Sequence, residues 1–395
     1  MKYLLFISIF LLSLLNHTTY AYVPAMLLLV FYTIKKAKTI SVSKQELMLA
    51  SCYTGFIIIS ALYFLVISDD KSDASVESFY NNLLFSFILY VIIFSLYRIC
   101  SKKAGISDLK FAVSAVLAIH VVLFFTQMII VYLTDYYIDF IHPITGEPSR
   151  YINYILGGEL SGKLNYRATG LYVEPSTYAS AITCIIMAGI SLNVKKSLIY
   201  IATITILLNF STIGVLLFIG IMFALFFNKI KIKYAVFLFL LALLLSSINY
   251  DFIFKFINDL IYKFDVTSGS RYNLISIIYF DKHGLVNIFG AGYFNIPNSL
   301  YKEITLGEYS VAALNDAGLI SYLVLKFGVL IIIPIVYLFW KIKGASMKIL
   351  FCCILISKIS FVFPVLYLAI IPALVKPKES RNKISATIIV ANSYK

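Results

Sequence analysis

The stretch 197–227, "SLIYIATITILLNFSTIGVLLFIGIMFALFF", decides the fold. It is an apolar run of about 30 residues between a lysine pair at 195–196 and the segment "NKIKIK" at 228–233. One membrane-crossing helix needs only about 20 residues. A single crossing would also put the two lysine clusters on opposite sides, whereas basic segments collect on the cytoplasmic side. Two short helices turning at "NFST" (209–212) meet both constraints, because the chain then returns to the side it left.

The rest of the chain has the same character. Hydrophobic residues make up 61% and charged residues 13%, far from the composition of a soluble domain. Apolar runs recur along the whole length, and no polar, Pro/Gly-rich linker divides them. The expectation is an all-α polytopic membrane protein forming one integral membrane domain over residues 1–395. Spans are predicted near 3–15, 20–34, 47–68, 79–97, 111–133, 174–193, 197–210, 213–227, 234–250, 317–340, 349–361 and 364–375. The last two come from one run broken at Pro364. Lys2, a 13-residue apolar run and "TYA" at 19–21 resemble a weak signal peptide. A second apolar run follows at once, and a short membrane hairpin is the better reading.

This map gives about 12 crossings, with both termini inside. The inside segments hold 22 of the 33 basic residues but three of the 19 acidic ones, Glu46, Asp108 and Glu379. Nine basic and 16 acidic residues fall outside or at the outer mouth, and Lys326 and Lys358 remain within apolar runs. The net charge of +14 therefore reflects membrane orientation and not a nucleic-acid partner. Two outside segments are long, about 134–173 and about 251–316. Connections of that size usually carry function.

Three of the five arginines, Arg150, Arg167 and Arg271, lie in these two loops. A planar guanidinium binds phosphate oxygens bidentately, which an ammonium cannot do; pairing with loop carboxylates is the plainer use. In "NYRATGLYVEPSTYAS" (165–180), Glu174 and Pro175 open the sixth span. Proline suits the first turn and a carboxylate complements the helix dipole. Glu174 is equally placed to act as a base at the outer mouth, or to orient Arg167. Asn315 and Asp316 precede the tenth span, where a helix cap is the default. Gly290 and Gly292 in "FGAGYFN" (289–295), like Gly170, offer close backbone approach, but this G-x-G has no strand–helix context for a nucleotide.

The five cysteines and four histidines show no metal-ligand spacing. No P-loop, no D-x-D and no large cytoplasmic loop are present. The spans carry Lys326, Lys358, Gln127 and His120, but no carboxylate ladder of the kind that proton-coupled transport uses.

Three motifs resemble the O-antigen polymerase (Wzy-type) family of the O-antigen ligase/polymerase superfamily: "RATGLYVEPSTYA" (167–179), "SRYNLI" with "IFGAGYFN" downstream (270–295), and "NDAGLISYLVLKFG" (315–328). The resemblance implies a GT-C-like glycosyltransferase of the bacterial inner membrane with two large periplasmic loops. It would join undecaprenyl-pyrophosphate-linked oligosaccharide repeat units at the periplasmic face, without metal or other cofactor. A chain-length regulator and a flippase are the implied protein partners, with the lipid bilayer as surroundings. By motif position Arg167 and Arg271 match the family's paired loop arginines, with Glu174 as candidate base. Arg150, Gly170, Gly290, Gly292, Asn315 and Asp316 are the candidate substrate-binding residues. Asn315 stands where the related ligases carry a histidine, which favours polymerase over ligase. A flippase or exporter of polysaccharide intermediates is the alternative from the transporter class.

Overall fold

The computed structural model describes residues 1–14, 18–36, 44–67, 73–151, 166–226, 258, 278–279, 288–294 and 317–375. These residues are helical with no strand. The predicted ninth span (234–250) and most of the second long loop lie outside them. In chain order the helices are α1 (Lys2–Ser13), α2 (Thr18–Lys36), α3 (Lys44–Ile67), α4 (Asp73–Cys100), α5 (Lys103–Thr134), the single turn α6 (His142–Thr145), α7 (Pro175–Ser191), α8 (Lys196–Leu208) and α9 (Thr212–Phe226). After the gap come α10 (Leu319–Phe327), a 3-10 turn (Val329–Ile331), α11 (Ile332–Lys341), α12 (Ala345–Ile356) and α13 (Pro364–Leu374). Parts of α3, α4 and α5 are long and apolar enough to cross a membrane, and α1, α7, α8, α9, α12 and α13 are shorter apolar helices of 10–17 residues.

The 197–227 run is the helical hairpin its length implies, reversing between Leu208 and Thr212. Asn209 makes the reversal possible. It is fully buried, and its side-chain carbonyl accepts from the Ser211 N–H (2.9 Å) and hydroxyl (2.8 Å). Its amide donates to the Pro175 carbonyl at 2.8 Å. Polar groups buried at a turn need such partners, and this residue supplies three. The last apolar run also divides in two, with Pro364 at the start of α13, where a missing N–H costs nothing.

α7 is the central helix and contacts α5, α8, α9, α12 and α13. From Tyr178 to Gly189 every residue is buried. Its small residues let neighbours approach closely. Its hydroxyls bond back along the helix, Ser180 to the Ser176 carbonyl (2.8 Å) and Thr183 to the Ala179 carbonyl (2.7 Å). The N-terminus of α7 therefore emerges in the middle of one end of the bundle.

At that end the reversal 209–211 meets Pro175, the Leu319 N–H donates to the Ser357 carbonyl (2.9 Å), and Lys358 meets Glu174. At the other end Lys36 pairs with Asp108 at 2.9 Å, Arg98 faces Glu46 at 3.7 Å, and the Lys2 ammonium sits 4.9 Å from the Phe111 ring centre. Glu46 and Asp108, two of the three acidic residues that interrupt the basic segments, thus have basic neighbours.

The run 317–340, expected as a single span, is not one continuous helix. It breaks at Gly328 into α10 and α11. Gly328 has φ +67, and a side chain there would collide with the Ile288 carbonyl and the Phe289 nitrogen. The helix gives way because a second segment, 288–294, is laid against it.

Candidate functional site

The first outer loop is tied to α5 by one side chain. Gln127 is fully buried, and its carbonyl oxygen accepts from the N–H groups of Thr169 (2.8 Å) and Gly170 (2.9 Å). Its amide donates to the Ile138 carbonyl at 2.8 Å. Both ends of the loop are thus held by one residue. Tyrosines extend the joint: the Tyr132 hydroxyl donates to the Tyr166 carbonyl (2.9 Å), Tyr137 and Thr169 share a hydroxyl hydrogen bond (2.8 Å), and the Tyr137 and Tyr151 rings stack at 3.8 Å. Asp139 accepts from the N–H groups of Ile141, His142 and Ser149. Burial works against its ionised form, but these hydrogen bonds hold its carboxyl below the usual range.

Two backbone hydrogen bonds then bring the loop's arginine-bearing segments together. The Arg150 N–H donates to the Val173 carbonyl and the Arg167 N–H to the Tyr151 carbonyl, both at 2.7 Å. Arg150 is thereby set beside Glu174, and its guanidinium pairs with the Glu174 carboxylate. The other carboxylate oxygen faces the Lys358 ammonium at 3.6 Å and accepts from the Ser176 hydroxyl at 3.1 Å. Lys358 is held in the turn between α12 and α13, where its N–H donates to the Ser180 hydroxyl (3.1 Å).

Glu174 lies just outside α7 and makes no side-chain capping bond to that helix. Its carboxylate is committed to the cluster. Burial alone would raise its pKa, but Lys358, then Arg150 and the Ser176 hydroxyl, outweigh burial and hold it below the usual carboxylate range. It is therefore an anion at neutral pH. Drawing one of its cations elsewhere makes the carboxylate a better proton acceptor. Arg150 is the exposed member, with 66% of its side chain accessible against 12% for Lys358. The arrangement can bind an anion by trading the Arg150–Glu174 pair for a new one.

The structure therefore brings together Arg150 and Glu174, with Arg167 and Gly170 on the same docked loop. The roles expected of Glu174 are to act as a base or to orient Arg167; its carboxylate pairs with Arg150 and Lys358. Gly170, with φ +59, lies against the Tyr178 ring. Gly290 and Gly292 do allow close approach, but to protein. The N–H groups of Ala291 and Gly292 donate to the carbonyls of Leu325 (2.8 Å) and Lys326 (2.9 Å), and a side chain at Gly290 would strike the backbone of residues 326–328. Their position is explained by packing on α10. Arg271, Asn315 and Asp316 lie outside the described residues. Among the described residues, no group of three His, Cys, Asp or Glu could hold a metal ion.

Along the chain Lys358 and Gln127 stand out only as polar residues inside apolar runs. Their isolation there is the available signal, because an ionisable or amide group in a span needs a partner. Comparison with known proteins finds no match for this chain among family models, curated proteins or solved structures.

Proposed function

We propose that this chain is an O-antigen polymerase. It would join undecaprenyl-pyrophosphate-linked repeat units at the periplasmic face of a bacterial inner membrane that it crosses about 12 times. Support for the topology is that ends assigned to the same side meet: Lys36 with Asp108 and Arg98 with Glu46 inside, Lys358 with Glu174 and Asn209 with Pro175 outside. The observation that carries the chemistry is the cluster of two cations on one carboxylate at the outer end of the central helix.

In this reading the lipid pyrophosphate is the leaving group. Its developing negative charge is stabilised by Arg167, Arg271 and Arg150 in a site of reduced dielectric. When Arg150 turns to the pyrophosphate, Glu174 loses one of its two cations. The carboxylate then accepts the proton of the acceptor sugar hydroxyl as that oxygen attacks the anomeric carbon. Lys358 keeps Glu174 oriented throughout.

The test is the lipopolysaccharide ladder of a deletion strain carrying variants at matched expression. Arg167→Ala, Arg271→Ala and Glu174→Gln are expected to leave one-unit O-antigen only. A wild-type ladder from the arginine variants sinks the site assignment. Loss of all attached O-antigen, single units included, points to the ligase. Flipping of lipid-linked oligosaccharide by the purified protein, with no change in chain length, points to a transporter.

A further inference from the structure

Lys326, the penultimate residue of α10, is 6% exposed. Among the described residues its ammonium has no hydrogen bond or ion pair. It lines a cavity of about 290 Å³ between α3 and the break from α10 to α11, with Phe56, Ser60, Tyr63, Phe327, Leu330 and Pro334. The Tyr63 hydroxyl is already engaged with the Gly290 carbonyl at 2.8 Å. The rest of the wall is largely apolar. The cavity opens sideways between Ile59 and Leu330, which are exposed, and exposed Leu62, Val66, Ile333 and Val336 continue the apolar surface beyond it.

An ammonium withdrawn from water costs several kcal/mol unless it is paired, and no described residue pairs with this one, so the site calls for a counter-charge. A small hydrated anion would have to shed its water on an apolar approach. An amphiphile offsets that cost, because burial of its chain against the apolar wall contributes free energy while its head meets the cation. Phosphate is the anion that membrane lipids carry, and a lysine serves it as a point charge. Basic pockets between membrane helices bind anionic headgroups on the same principle.

We infer that this cleft holds one anionic phospholipid of the surrounding bilayer, its phosphate against Lys326 and an acyl chain along α3 and α11. The site shares no residue with the Glu174 cluster, and its volume takes a headgroup phosphate with part of one chain. It rests on the membrane reading alone and stands whether or not the transfer reaction does. The lipid also supports the bundle, because α3 packs mainly on α4 and a chain shared with α11 holds its other flank.

The experiment is native mass spectrometry and thermal melting of the full-length protein in neutral detergent, with phosphatidylglycerol, phosphatidylcholine or undecaprenyl phosphate added. One phosphatidylglycerol should stay bound to the wild type and to Lys326→Arg, and raise the melting temperature of both. Lys326→Met, which keeps the volume and removes the buried charge, should bind it at least about tenfold more weakly and gain no thermal shift. Ser60→Trp, which fills the cleft and leaves the cation, should also lose it. The proposal is overturned if Lys326→Met and Ser60→Trp retain the lipid as the wild type does, or if phosphatidylcholine binds equally well. It is overturned as to occupant if undecaprenyl phosphate displaces phosphatidylglycerol at equal or lower concentration.

Discussion

Replacing Gln127 by leucine should release the first long loop while leaving the bundle assembled. The substitution keeps the side chain's bulk and removes three hydrogen bonds. The N–H groups of Thr169 and Gly170, both buried, and the half-buried Ile138 carbonyl lose their partner. Each buried orphan costs about 1–3 kcal/mol. Polar contacts between membrane helices fall at the low end, averaging about 0.6 kcal/mol. Two buried donors and one partly exposed acceptor together give about 3 kcal/mol, concentrated on opening of residues 166–174. At about 1.4 kcal/mol per tenfold, that is about two orders of magnitude in the opening equilibrium. Hydrogen exchange on the purified protein reads this directly: the peptide covering 166–174 should exchange about a hundredfold faster, while peptides from the core of α7 stay protected. Exchange of the loop peptide within threefold of the wild type would refute the claim that Gln127 is its anchor. Loss of protection throughout α7 would refute the claim that the effect is local.

The remaining predictions concern charge and close approach. Glu174 has a pKa held below its ordinary value of 4.5, so its contribution to stability is complete above that value and fades as pH falls through the folded pKa. Lys358→Met removes the principal charge opposing burial. The carboxyl should then titrate higher, and the acid limb of the pH–activity profile should move to higher pH; an unmoved limb would mean that the ionisation of Glu174 does not limit the reaction. Gly290→Ala places a methyl group against the backbone of residues 326–328 and should destabilise by about 1–3 kcal/mol. Gly292→Ala meets only the Tyr63 ring at 3.1 Å and should cost less. Thermal melts of the two variants in one detergent check the order.

Much of the architecture is legible along the chain because a membrane constrains sequence so strongly. Backbone polar groups in hydrocarbon must be satisfied within the segment, so long apolar runs mean helices. The 197–227 hairpin and the break at Pro364 follow from run length, lysine placement and proline. The break at Gly328 does not, because hydropathy is continuous from α10 into α11. It depends on segment 288–294, whose glycines read as ligand-binding elements when viewed along the chain.

The candidate site divides in the same way. Sequence alone determined that the chain is helical, with helices long and apolar enough to cross a membrane, and that Arg150, Arg167 and Glu174 belong to one loop region before an apolar helix. Only the tertiary structure decided which charges meet. Lys358 lies 184 positions beyond Glu174, and no local pattern couples them. They meet because α13 packs along α7, which sets the turn before it against the start of the central helix. Sequence order specifies which residues can be neighbours along one helix, but helix packing specifies which ends share a rim, and an ion pair forms only where packing puts both charges in reach.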